Sequence, residues 1–197
     1  EISCSLVGSE MCIRDRHVLD PTMLLTPADY RALIGEGGAE KYANKITAFI
    51  LDRSDDKLAA LKKVSKVLAM DYNFAATETE DRLAPLEKRI APSVADWLKA
   101  MYYADYIFTD SFHGCVFSIL FNKPFVLYVN RNRGVARFES LLKLFKIENR
   151  TLSDSNGLES CPIRQSIDWK PINAKLEEMR SKSMCFLENA LTARDEQ

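Results

Sequence analysis

From residue 45 onward, short apolar runs alternate with amphipathic stretches. Residues 45–51 (K-I-T-A-F-I-L) read as a buried strand. Ser54-Asp55-Asp56 then caps a helix to about Met70, with Leu58, Leu61, Val64 and Leu68 at helical spacing. A second short strand covers 72–77, and the charged stretch 78–89 reads as loop with some helix. Ser93 caps a helix carrying Trp97, Leu98 and Met101, followed by a third strand at 106–109. A small apolar helix, 114–121, follows directly, then a fourth strand, 125–129. An amphipathic helix at 137–145 and a long helix from about 168 to 193 complete this part. Upstream, residues 17–22 read as a strand-to-turn passage. Thr26-Pro27-Ala28-Asp29 offers a hydroxyl cap, a proline at the first helical position and an acid three residues on. Residues 151–167, with Ser153, Ser155, Asn156, Gly157 and Pro162, read as an irregular excursion. Strands alternating with helices predict βαβ units, and so an α/β fold on a parallel sheet with right-handed connections.

Composition keeps that picture and excludes others. In 197 residues, 27 Lys+Arg and 28 Asp+Glu leave a formal charge of −1, with 47% hydrophobic residues. A disordered chain, a collagen and an overall basic nucleic-acid binder do not fit. No window reaches the ~18 apolar residues of a membrane helix. The five cysteines, Cys4, Cys12, Cys115, Cys161 and Cys185, include no C-x-x-C pair, which reads as free thiols in a reducing cytoplasm. Asp105 and Asp110 are isolated, and no metal motif is present.

The first sixteen residues, E-I-S-C-S-L-V-G-S-E-M-C-I-R-D-R, show neither a period of 2 nor one of 3.6. They resemble sequencing-adapter DNA read as protein. Residues 1–16 are therefore taken as non-native and 17–197 as the domain.

Candidate chemistry gathers where two strands end. After Thr109 come Asp110, Ser111, Phe112, His113 and Gly114. Ligands of open α/β sheets sit beyond the carboxyl ends of strands, and a helix N-terminus there offers amide N–H groups and a positive dipole end to an anion. Gly114 permits close approach of a ligand or of neighbouring chain. His113 supplies a proton or a hydrogen bond near neutral pH. The same residues also allow a plain reading, in which Asp110 or Ser111 caps the helix and His113 packs. The fourth strand is followed by Arg131, Arg133 and Arg137 around Gly134. Their planar forks suit carboxylate and phosphate, or form a solvated basic loop. Cys115 neighbours His113, but adjacent helical residues point about 100° apart. Trp97, Tyr102 and Tyr103 read as packing residues.

T-D-S-F-H-G-C-V-F-S-I-L-F-N-K-P-F, residues 109–125, resembles the signature of the polysaccharide pyruvyl transferase family. Asp20-Pro21-Thr22-Met23-Leu24-Leu25, the S-x-x-x-W-L of Ser93–Leu98, Arg133-Gly134, R-F-E-S-L-L from Arg137 and Glu148-Asn149-Arg150 resemble its other segments. The resemblance runs from about residue 17 to 190. It implies a Rossmann-like parallel sheet flanked by helices, similar to the C-terminal half of a two-domain glycosyltransferase-B-like fold, with the N-terminal domain of the same protein missing.

The resemblance further implies a cytoplasmic enzyme of exopolysaccharide biosynthesis. It would move a pyruvyl group from phosphoenolpyruvate to hydroxyls of a surface polysaccharide sugar, free or lipid-linked, forming a pyruvate ketal. Phosphoenolpyruvate enters as co-substrate, and no cofactor, metal, nucleic acid or membrane span is expected. His113 is the expected catalytic acid/base, and Asp110, Ser111, Gly114, Arg131, Arg133 and Arg137 the substrate-binding residues. On this reading the half-cleft alone is inactive. A nucleotide-sugar glycosyltransferase of similar fold and a non-catalytic glycan-binding module are the alternatives.

Overall fold

A computed structural model of the chain describes residues 18–77, 83, 85–129 and 135–192. Residues 1–16, His17 and the run 130–134 with Arg131 and Arg133 lie outside the described residues.

The alternation of apolar runs and amphipathic stretches emerges as β1 (Lys45–Phe49), α2 (Asp55–Leu68), β2 (Asp71–Phe74), α3 (Leu86–Arg89), α4 (Val94–Tyr103), β3 (Tyr106–Thr109), α5 (Phe112–Leu120), β4 (Phe125–Tyr128), α6 (Val135–Phe145), β5 (Thr151–Leu152) and α7 (Trp169–Thr192), preceded by α1 (Pro27–Ile34). Cap chemistry starts the helices where the residues predict. The Thr26 hydroxyl accepts from Asp29 N at 3.3 Å, and the Asp29 carboxylate accepts from Thr26 N at 2.7 Å, a complete capping box. Ser54 accepts from Lys57 N at 3.3 Å and Ser93 from Asp96 N at 3.1 Å.

The sheet has five strands in the order β2-β1-β3-β4-β5, and every neighbouring pair is parallel. This is the expected α/β, Rossmann-like architecture. The chain winds outward from β1 to β2, then returns to the other side of β1 to lay down β3. The carboxyl ends of β1 and β3 therefore form the switch point of the sheet.

Strands buried on both faces divide their side chains between two cores. Ile107, Phe125 and Leu127 face α1, α4, α5, α6 and α7. Tyr106, Phe108, Val126 and Tyr128 face α2 and the 158–163 segment. Trp97 packs edge-on against Phe49 and Phe117, as a packing residue should. Among the described residues no helix is long and apolar enough to cross a membrane.

Three local expectations are corrected. Pro21–Met23 forms a 3-10 turn in place of a strand-to-turn passage, because Asp20 caps it through Thr22 N at 3.0 Å and Pro21 starts it. The helix expected from Gly114 begins at Phe112, since Thr109 Oγ1 takes up Ser111 N at 3.0 Å and turns the chain at once. The 151–167 stretch contains a fifth strand, Thr151–Leu152, paired with Leu127 and Tyr128. Two residues are too few to show a period.

Candidate active site

β3 delivers the D-S-F-H-G residues to the carboxyl edge, but the structure sends them in different directions. Asp110 is 0% exposed and turns inward. Its Oδ1 accepts from Leu51 N at 2.7 Å, and its Oδ2 from Asp52 N at 3.2 Å and Lys57 Nζ at 2.6 Å. An acid so engaged organises the turn between β1 and α2. Its carboxylate oxygens are thus turned to these donors inside the fold. Gly114 is buried as well, and a Cβ there would meet Thr109 Oγ1 at 2.1 Å. Gly114 thus permits a close approach between α5 and β3.

Ser111 is buried at the N-cap of α5, and no side-chain cap bond is made there. The plain capping reading thus holds for neither Asp110 nor Ser111.

His113 points the other way. Its side chain is 53% exposed, and Nε2 lies 3.9 Å from Asp20 Oδ2. Asp20 is fixed in turn, since its Oδ1 accepts from Thr22 N at 3.0 Å and from Thr22 Oγ1 at 2.6 Å. Phe112 stands beside the imidazole with ring centroids 5.8 Å apart and packs edge-on against Phe138 of α6 at 6.0 Å. Arg137, in the first turn of α6, places its guanidinium carbon 5.3 Å from the centre of the Phe112 ring. His113 of α5 and Arg137 of α6 thus both stand near one aromatic ring, Phe112, in the first turn of α5.

A cavity of about 200 Å³ lies here, lined by Asp20, Met23, Phe112, Arg137, Ser140 and Leu141 among others. Drug-sized ligand pockets measure ~300–1,000 Å³, so this one is sized for a molecule smaller than those. Its wall is mostly apolar, with Arg137 and Asp20 as its charged residues, and His113 stands outside it beside Asp20.

On the α2 face of the sheet, described side chains tie the carboxyl edge together. The Asp110–Lys57 pair fills the space between β1, β3 and α2. The Tyr128 hydroxyl at the end of β4 donates to Asp56, which also accepts from Ser155 N at 2.9 Å. The hydrogen bonds from Ser155 and Tyr128 hold the Asp56 carboxyl below its usual range. Burial, then the Asp56 bond, pushes the Tyr128 phenol up to about 12. The edge is therefore tied off on the α2 face of the sheet and open on the α5–α6 face.

Cys115 is wholly buried, and burial, reinforced by the charge of Asp110, raises its thiol far above the ordinary range. It is no nucleophile in this state. Among the described residues no group of three His, Cys, Asp or Glu side chains gathers as a metal site. Asp105 instead accepts from Asn44 N.

Two residues escaped the sequence reading. Asp20 belongs to the D-P-T segment, and an acid beside a turn-forming proline was the available signal. Lys57 carries no signal of its own, because a lysine in the first turn of a helix is ordinary.

A family model described as polysaccharide pyruvyl transferase matches residues 3–132. The matched span takes in part of the opening stretch read as non-native, every strand but β5, and the whole D-S-F-H-G segment. Comparison with curated proteins and with solved structures returns no match. The family match covers well over half of the chain and contains the whole D-S-F-H-G segment: the chain belongs to the polysaccharide pyruvyl transferase family.

Proposed function

We propose that the chain takes part in moving a pyruvyl group from phosphoenolpyruvate to a polysaccharide sugar, free or lipid-linked, with a pyruvate ketal as product. The observation that carries the reading is that exposed His113 and Arg137 both stand beside Phe112, in the first turn of α5. Phosphoenolpyruvate bears a carboxylate and a phosphate on a three-carbon frame. It needs a fixed guanidinium, helix-end amides and a proton donor, and it has no base or ribose to house. The small cavity beside Asp20 suits such a donor better than it suits a nucleotide sugar.

The chemistry follows from those groups. His113, as an imidazolium, gives its proton to the methylene carbon of the enol phosphate, which becomes the methyl group. The adjoining carbon becomes oxocarbenium-like and bonds to one sugar hydroxyl, whose proton returns to the imidazole. A second hydroxyl of the same sugar then displaces phosphate, its proton leaving with the phosphate, and the ketal closes. Arg137 and the α5 amides hold the anionic groups in place. Arg131 and Arg133 follow β4 in sequence and join this anion-binding set in the proposal. So do a cytoplasmic location, a role in exopolysaccharide synthesis and a second, N-terminal Rossmann-like domain facing the cleft.

The test is titration with phosphoenolpyruvate, read by calorimetry and by the His113 side-chain resonances, alongside acceptor-dependent phosphate release by the full-length enzyme. Arg137→Ala is expected to weaken binding at least tenfold. His113→Ala is expected to slow phosphate release by roughly a hundred- to ten-thousand-fold, the usual reach of general acid catalysis. Binding of a nucleotide sugar without binding of phosphoenolpyruvate, or normal release by His113→Ala, would overturn the reading.

A further inference from the structure

The turn after the first strand of a dinucleotide-binding sheet is where a pyrophosphate sits, held by backbone amides and the start of the following helix. The corresponding turn here, between β1 and α2, contains the same kind of donors. Leu51 N, Asp52 N and Lys57 Nζ converge on one point. What occupies that point is the chain's own carboxylate. Asp110 arrives from β3 with both oxygens engaged, and Lys57 Nζ is further fixed by Asp52 O at 2.7 Å. Ion and cradle are buried, with side-chain exposures of 9% for Lys57 and 0% for Asp110.

We propose that Asp110 is an internal ligand: its carboxylate plugs an anion cradle at the switch point, and so keeps phosphate-bearing molecules out of the β1–α2 turn and confines anion binding to the His113–Arg137 side. Three features agree. The turn Leu51-Asp52-Arg53-Ser54 has no glycine, so its backbone is not shaped for close approach of a pyrophosphate. Across residues 52–57, Asp52, Asp55 and Asp56 outnumber Arg53 and Lys57, a balance that favours a buried monoanion paired with Lys57 over a phosphate dianion. Finally, the plug and His113 stand three residues apart across the start of α5, so one short segment both closes the switch point and opens the other site. Asp110 is thus a specificity residue, although it touches no substrate. Confinement of the donor rests on the proposed function, whereas the plug itself does not.

Chemical rescue tests the plug. Asp110→Ala removes the carboxylate and leaves a space of its size. The variant should melt well below the wild type, and formate, against chloride at matched ionic strength, should recover at least half of the lost melting temperature. Formate should also shift the Leu51 and Asp52 amide resonances. Asp110→Asn, which fills the space with a neutral amide, should show no such rescue. In the wild type, inorganic phosphate and a nucleoside diphosphate should leave those two amides unmoved. This measurement stands even if Asp110→Ala fails to fold. A folded Asp110→Ala that ignores formate, or wild-type Leu51 and Asp52 amides that respond to phosphate, would overturn the proposal. Rescue by formate combined with indifference of His113 to phosphoenolpyruvate would sink the transferase reading and leave the plug standing.

Discussion

Gly114 stands so close to Thr109 that a methyl group on it would come within 2.1 Å of the threonine oxygen and 2.7 Å of its Cβ. Thr109 cannot give way, because its Oγ1 donates to Phe49 O at 2.7 Å and accepts from Ser111 N at 3.0 Å. The glycine of the D-S-F-H-G segment is thereby a packing requirement of the β3–α5 corner. Gly114→Ala should destabilise the fold by about 3 kcal/mol, at the upper end of usual overpacking costs. For a chain of this size that is a fall in melting temperature of about 6–12 °C, measured by calorimetry. Thr109→Ala in the same chain should recover part of it, since the oxygen and one methyl group of the clash are then gone.

Arg150 is 3% exposed and donates to Pro162 O at 2.7 Å and Gln165 O at 2.6 Å. It pins the return of the chain after β5 onto the sheet, where Cys161 and Ile163 join the core. Arg150→Met keeps the apolar stem but leaves two carbonyls without their donor. The expected loss is about 3 kcal/mol, from roughly 1–3 kcal/mol for each unsatisfied group. A lower urea midpoint with an unchanged slope would confirm that the contact acts within the folded state.

The same residues show what a linear reading reaches. Tyr106-Ile107-Phe108-Thr109 was legible as a strand because a parallel strand buried on both faces is apolar throughout. The capping box at Thr26 and Asp29 was legible because its partners are three residues apart. Thr151–Leu152 was not legible, since its pairing with β4 is long-range. Local pattern likewise says nothing about strand order. At the site, His113 and Arg137 were marked by residue type and by position after a strand. The inward turn of Asp110 depends on amides and a lysine more than fifty residues upstream, which no local period encodes. For the same reason Asp20 passed as part of a turn.

Stability should fall at both ends of the pH scale for reasons centred on one contact. The Asp56 carboxyl lies below its ordinary 3.8 in the folded chain because Ser155 and Tyr128 donate to it. The unfolded chain therefore takes up its proton first, so this share of stability is full above about pH 4 and is lost as pH falls through the depressed value. Asp29, lowered by its bonds to Thr26, adds to the same limb. Tyr128 does the reverse. Its phenol is pushed up to about 12, so between about pH 10 and 12 the unfolded chain has released a proton that the folded one keeps, and stability declines with rising pH. Tyr128→Phe should flatten part of the alkaline decline and move the acid midpoint upward, as read by melting temperature across pH. The buried Tyr106 phenol and Cys115 thiol, both raised mainly by burial, leave a residual alkaline slope in that variant.

Asp20 and His113 form a weak pair by geometry: 3.9 Å apart, with the imidazole half in solvent. Exposed pairs of this kind contribute ~0.2–1 kcal/mol, which corresponds to at most about a fivefold effect. If Asp20 serves only to bias the orientation of the ring, Asp20→Asn should slow acceptor-dependent phosphate release by no more than that, and its effect should fade at high salt as the charge is screened. His113→Ala, by contrast, removes the proposed proton donor itself, and salt is not expected to restore it. A loss in Asp20→Asn as deep as that in His113→Ala, persisting at high salt, would mean that the carboxylate takes part in the proton transfer, and the assignment of His113 as the sole acid/base would have to be given up.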